Sequence, residues 1–115
     1  MALTEFEEAL VEVCVGEFIE RRRPPENLRD EVDLTYKIDR QSVIILEKRP
    51  TFRDPSRIIE HAVAKTTFTQ TSKRWKIYWQ RADLKWHRYD PVPEVRTLDE
   101  FIAIVDEDEH GCFWG

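Results

Sequence analysis

The chain has 115 residues, 41% of them hydrophobic and 36% charged, and a net charge of −5. One domain with a single core fits that length, and three glycines with no Ser- or Gln-rich tract argue against long disorder. Apolar runs such as Val43 to Leu46 are far too short to cross a bilayer, and the acidic N-terminus lacks the basic and apolar regions of a signal peptide, so a cytoplasmic protein with no membrane contact is expected.

Thr4-x-x-Glu7 is a capping box and starts a first helix. Phe6, Leu10, Val13, Cys14 and Ile19 or Phe18 then recur at helical spacing, with glutamates over the remaining surface. Arg21, Arg22 and Arg23 sit where cations suit a helix C-terminus, and Pro24-Pro25 ends the helix. From Glu31 the period becomes two: Val32, Leu34, Tyr36 and Ile38 share one face of a strand. Asp39-Arg40-Gln41 is a turn. Ser42 to Arg49 is a second strand, apolar on both faces, closed by Pro50. Ile58 to Thr69 is a long β-branched third strand. Lys73 to Arg81 and Lys85 to Asp90 are the fourth and fifth, joined around Ala82-Asp83-Leu84. Pro91 and Pro93 bracket a linker. Thr97-x-x-Glu100 repeats the capping box before a short second helix with its stripe at Leu98, Phe101, Ile102 and Val105, and Gly111 follows as a stop. The order α-β-β-β-β-β-α predicts an α+β domain: an antiparallel meander of about five strands with both helices packed on one face.

The fourth and fifth strands carry the unusual chemistry. From Lys73 to Tyr89 six bases face a single acid, Asp83, so this window is net +5 within a chain of net −5. Five of the chain's 13 aromatics also lie there. Alternation puts Trp75, Ile77 and Trp79 on one face and Lys76, Tyr78 and Gln80 on the other. The partner strand has two registers. A two-residue turn at Ala82-Asp83 sends Trp86 to the tryptophan face and His87 and Tyr89 outside. A left-handed Leu84, as in a G1-bulge hairpin, sends His87 and Tyr89 inward and sets Trp86 and Arg88 beside Lys76 and Tyr78. In one reading the tryptophans are core, the outer rings pack on Lys and Arg stems, and the acidic helices neutralise the basic strands. In another, Arg74, Lys76, Tyr78, Trp86 and Arg88 bind an anionic ligand, single-stranded nucleic acid foremost. A protein partner, which Trp, Tyr and Arg also suit, is the third.

Other constellations are weaker. Asp106-x-Asp108-x-His110-Gly111 resembles the start of a calcium loop, but the sequence stops before the closing glutamate position. Acids crowd the second helix, including its C-terminal end, and call for a nearby arginine, a metal or a basic partner. No H-x-x-x-H or C-x-x-C pair and no Gly-rich phosphate loop exists, so no motif calls for a zinc ion or another cofactor. Cys14 and Cys112 read as reduced thiols, with a disulfide between them left geometrically open. No catalytic motif is visible; an unrecognised enzyme would need a concave pocket holding Glu47, Arg49, His61 or His87. Phe113 and Trp114 are costly to leave in water and should dock on the domain itself or on a second copy, giving a homodimer.

Glu47-Lys48-Arg49-Pro50, Trp75-Lys76-Ile77-Tyr78-Trp79, Trp86-His87-Arg88-Tyr89, and Asp106-x-Asp108 followed by Phe113-Trp114-Gly115 together resemble the short bacterial proteins of the family called domain of unknown function 3024. The resemblance covers nearly the whole chain. Leu84 stands where that family's turn leads one to expect glycine. The resemblance implies a stand-alone bacterial domain and brings no activity, substrate or catalytic residue with it.

Overall fold

The structure is a computed structural model and describes residues 2–114; Gly115, the end of the Phe113-Trp114-Gly115 motif, lies outside the described residues. Helix α1 (Glu5–Arg22) leads through a 3-10 turn (Glu26–Leu28) to strands β1 (Asp33–Asp39), β2 (Ser42–Pro50), β3 (Ile58–Thr69), β4 (Arg74–Gln80), β5 (Trp86–Arg88) and β6 (Glu94–Val95), then to α2 (Leu98–Glu107). The expected α+β architecture holds. The sheet is an antiparallel meander in the order β1-β2-β3-β4-β5. The sixth strand, β6, was expected as linker: it continues the β5 edge, with Val95 opposite Trp75 and Glu94 opposite Lys76.

Both caps form. Thr4 Oγ1 accepts from the Glu7 N–H and the Glu7 carboxylate accepts from the Thr4 N–H. At α2 the box is displaced by one residue: Thr97 Oγ1 accepts from the Glu100 N–H, but the Glu100 carboxylate reaches back to the Arg96 N–H. α1 packs on α2 and β1, and α2 on β4 and β6, so both helices cover one face of the sheet. On that face Ile45, Ala64, Ile77, Val11, Val15, Phe18, Phe101 and Val105 are sealed from water. Thr66 is also fully buried, and its hydroxyl donates to the Lys76 carbonyl, so this buried hydroxyl is satisfied.

The stripe expected to bury α1 holds at its end, Phe18 and Ile19, and fails before it. Val11, Val15, Phe18 and Ile19 face the core, while Phe6, Leu10 and Val13 are left exposed and Cys14 is half-buried. The helix carries apolar residues on two sides, and periodicity alone does not say which side the rest of the chain covers.

Arg23 secures the junction between α1 and β1. Its Nε and Nη2 donate to Asp33 Oδ1 and Oδ2, both at 2.9 Å, and Nη1 donates to Glu20. The Arg23 guanidinium foremost, helped by the Leu34 N–H, holds the Asp33 carboxyl below the usual carboxylate range. A depressed folded pKa contributes stability that is complete above the ordinary value near 4 and is lost as pH falls through the depressed one. Asp33→Asn is therefore expected to lower stability at neutral pH and to flatten its decline on acidification below about pH 4. Denaturant titrations at several pH values would show this; an acid limb as steep as the parent's would mean that Asp33 does not contribute.

Candidate functional site

The β4–β5 hairpin decides which aromatics meet solvent. Leu84 adopts φ 63°, the Leu84 N–H donates to the Arg81 carbonyl, and the Arg81 N–H donates to the Lys85 carbonyl. The Lys85 N–H donates to Asp83, whose carboxyl is held below its usual range by that bond first and by His87 second. This is the G1-bulge register without its glycine. Tyr78 faces Arg88, Trp79 faces His87 and Gln80 faces Trp86. Tyr89 therefore turns inward, where it is buried 4.9 Å from the Phe113 ring. Trp86 and Arg88 turn outward beside Tyr78.

Residues directly opposite one another in a ladder share a face. Lys37 is opposite Ile44, Ile44 opposite Lys65, Lys65 opposite Tyr78, and Tyr78 opposite Arg88. One rung thus crosses all five strands of the meander on the side away from the helices, a span of roughly 19 Å at ~4.8 Å per strand spacing. The next rung sets Ser42, Thr67, Lys76 and Glu94 in line, with Ser42 and Thr67 hydroxyls 2.7 Å apart. Trp86 lies diagonally from Tyr78. Lys65 Nζ stands between the two rings, 5.1 Å from the centroid of Tyr78 and 5.3 Å from that of Trp86. Beside Trp86 a groove of about 510 Å³ is floored by Ile44, Leu46 and Ala62 and edged by Lys37, Gln80, Glu60 and His61.

All five residues singled out in the sequence, Arg74, Lys76, Tyr78, Trp86 and Arg88, fall on this open face, and Lys65 and Lys37 join them. Sequence reasoning missed these two lysines because they lie on other strands and meet the hairpin only through its register. The acidic helices do not neutralise this surface, since they lie on the opposite side of the sheet. Among the described residues, Lys37, Lys65, Arg74 and Lys76 have no carboxylate within salt-bridge distance; Arg88 pairs with Asp90 at 2.9 Å. A larger hollow of about 650 Å³ between α1 and β1 is lined by Glu12, Glu17 and Glu20 and by the Arg23–Asp33 pair, with Tyr36 the one aromatic ring in its wall. It suits an anion poorly.

Residues 3–115 match the family model for the domain of unknown function DUF3024. The chain belongs to this family. Neither the curated proteins nor the solved structures offer a match to this DUF3024 chain.

The remaining candidates are placed as follows. Asp106 accepts from Arg22 at 2.6 Å and from Arg21 at 3.4 Å, which supplies the compensating arginines that the acidic helix end calls for. Asp108 is the left-handed C-cap of α2, and its two carboxylate oxygens accept from the Phe113 and Trp114 N–H groups. His110 lies beside Tyr89. Among the described residues no three His, Cys, Asp or Glu side chains converge as a metal site, so Asp106, Asp108 and His110 are not brought together. Phe113 and Trp114 dock on their own domain: Phe113 is buried, Trp114 Nε1 donates to the Val105 carbonyl, and the Arg22 guanidinium lies 4.1 Å from the Trp114 ring centroid. Glu47 pairs with Arg49 and stands opposite His61, which lines the groove beside Trp86, and His87 bonds Asp83 within its own hairpin. Cys14 and Cys112 are free thiols, both pushed up chiefly by burial, and so are protonated at neutral pH. Among the described residues no helix is long and apolar enough to cross a membrane.

Proposed function

We propose that this DUF3024 domain is a binding module that holds single-stranded nucleic acid on the open face of its sheet. The observation that carries this reading is the Tyr78–Lys65–Trp86 cluster, on a face where, among the described residues, Lys37, Arg74 and Lys76 have no carboxylate within salt-bridge distance and Glu94, opposite Lys76, is the acid of the neighbouring rung. Bases of any identity stack on exposed rings, and the cations on either side follow the phosphates. Lys65, poised over both rings, swings to a phosphate when a base takes its place. The net negative charge of the whole chain does not oppose this, because field strength at the site is set within roughly a Debye length, ~8–10 Å.

Fluorescence anisotropy with an unstructured pyrimidine oligonucleotide tests the reading. If Lys65, Arg74 and Lys76 each neutralise a phosphate, log K against log salt should have a slope of about −2, and Lys65→Gln should reduce its magnitude by about 0.7. No binding at low salt, or binding insensitive to salt, would remove the proposal. A protein partner on this face has less support, since four cations around two rings are dearer to desolvate against protein than against phosphate. The Phe113–Trp114 tail is already engaged by its own domain.

A further inference from the structure

α1 presents a second apolar stripe that the domain leaves uncovered. Phe6, Leu10 and Val13 follow at i, i+4 and i+7 and so align along one side of the helix, 72%, 42% and 56% exposed. Isolated exposed apolar residues are ordinary, but three in register on a capped, regular helix form a ridge. Next to Leu10 the ridge opens into a hollow of about 260 Å³ whose apolar walls are Leu10, Cys14, Trp75 and Leu98. That volume suits an inserted side chain. A ridge beside a hollow is the relief that a packing helix meets with its own knobs.

The charges around the ridge select the occupant. Glu17 continues the line of Val13, Glu5 and Glu12 flank one side, and Asp99 lies by the hollow on the other together with one base, Arg96, so acids outnumber bases four to one. Among the described residues, none of these four acids has a basic partner within salt-bridge distance. A second copy would bring another acid-rich ridge against this one, and like charges at close range oppose pairing. An anionic lipid surface is refused for the same reason. We infer that the ridge docks an amphipathic helix of a protein partner, its apolar side chains seated on Phe6, Leu10 and Val13 and in the hollow, its rim lysine- or arginine-rich. This surface is on the far side of the molecule from the open sheet face, and the inference does not depend on what that face binds.

The test uses a labelled synthetic Leu–Lys peptide with leucines at helical spacing, and a scrambled peptide of the same composition, read by anisotropy at physiological salt. The patterned peptide should bind at least about tenfold more tightly than the scrambled one. The double variant Phe6→Ser, Val13→Ser should erase that advantage while its melting temperature stays at the parent value, both positions being exposed. Equal binding of the two peptides, or an undiminished advantage in the variant, would overturn the inference by showing charge attraction alone. So would a dimer of the parent in sedimentation that the double variant abolishes, since a second copy would then own the ridge.

Discussion

Replacing Tyr78 and Trp86 together by alanine is expected to weaken oligonucleotide binding by about 30-fold to about 10⁴-fold, since each base stack is worth ~1–3 kcal/mol and 1.4 kcal/mol is tenfold. The fold should survive. Both rings are half-exposed on the face away from the helices, and neither belongs to the packed core. The comparison that gives the result meaning is stability measured on the same variant. If the rings serve only as a shelf for the Lys65 stem, the double variant loses some stability and binds as the parent does. If they are the stacking platform, binding collapses while the denaturation midpoint moves little. Single variants should share the loss, with Trp86 the larger contributor because indole offers more area than phenol.

Asp108→Ala should cost about 2–4 kcal/mol of stability, through two backbone bonds to a charged acceptor and a left-handed alanine in place of aspartate. Asp108 has φ 43° and ψ 51°, and its carboxylate is what holds the Phe113 and Trp114 N–H groups at 3.0 and 2.9 Å. Without it, Phe113 leaves its seat against Tyr89, and Trp114 leaves Val105 and the Arg22 guanidinium. The melting temperature should fall by roughly 10–20 °C in a domain of this size. Asp108→Gly separates the two causes: it removes the carboxylate but relieves the backbone, so it should be milder than alanine by about 1 kcal/mol. A parent-like melt for Asp108→Ala, with unchanged tryptophan fluorescence, would show that the tail is held by burial alone.

Much of the fold was legible because its signals are local. Alternation marked five strands, proline and short polar turns separated them, and two threonine caps marked the helix starts within a residue. What was illegible depends on partners distant in sequence. The core face of α1 was misassigned before Phe18 because both of its apolar sides obey helical spacing, and only α2 and β1 decide between them. β6 is two residues long and exists because it meets β4 at Trp75 and Lys76, which no short window announces. The hairpin register turned on Leu84, a residue that ordinarily avoids a left-handed backbone; here Asp83 bonding to the Lys85 N–H and the Gln80 amide bonding to the Leu84 carbonyl hold the turn. The candidate site was half legible for the same reason. Its hairpin residues stand out in composition, whereas Lys37 and Lys65 enter only once β1, β2 and β3 are laid beside it.

The proposal places single-stranded nucleic acid on the open face of the sheet and not on the helical side. Backbone amide chemical shifts recorded while an unstructured oligonucleotide is titrated into the domain test this most directly. The account predicts shifts concentrated on Lys37, Lys65, Lys76, Tyr78, Trp86 and Arg88, fading as salt is raised, with α1 and α2 unmoved. Shifts centred on α1 or α2, or none on the Tyr78–Lys65–Trp86 cluster, would contradict it.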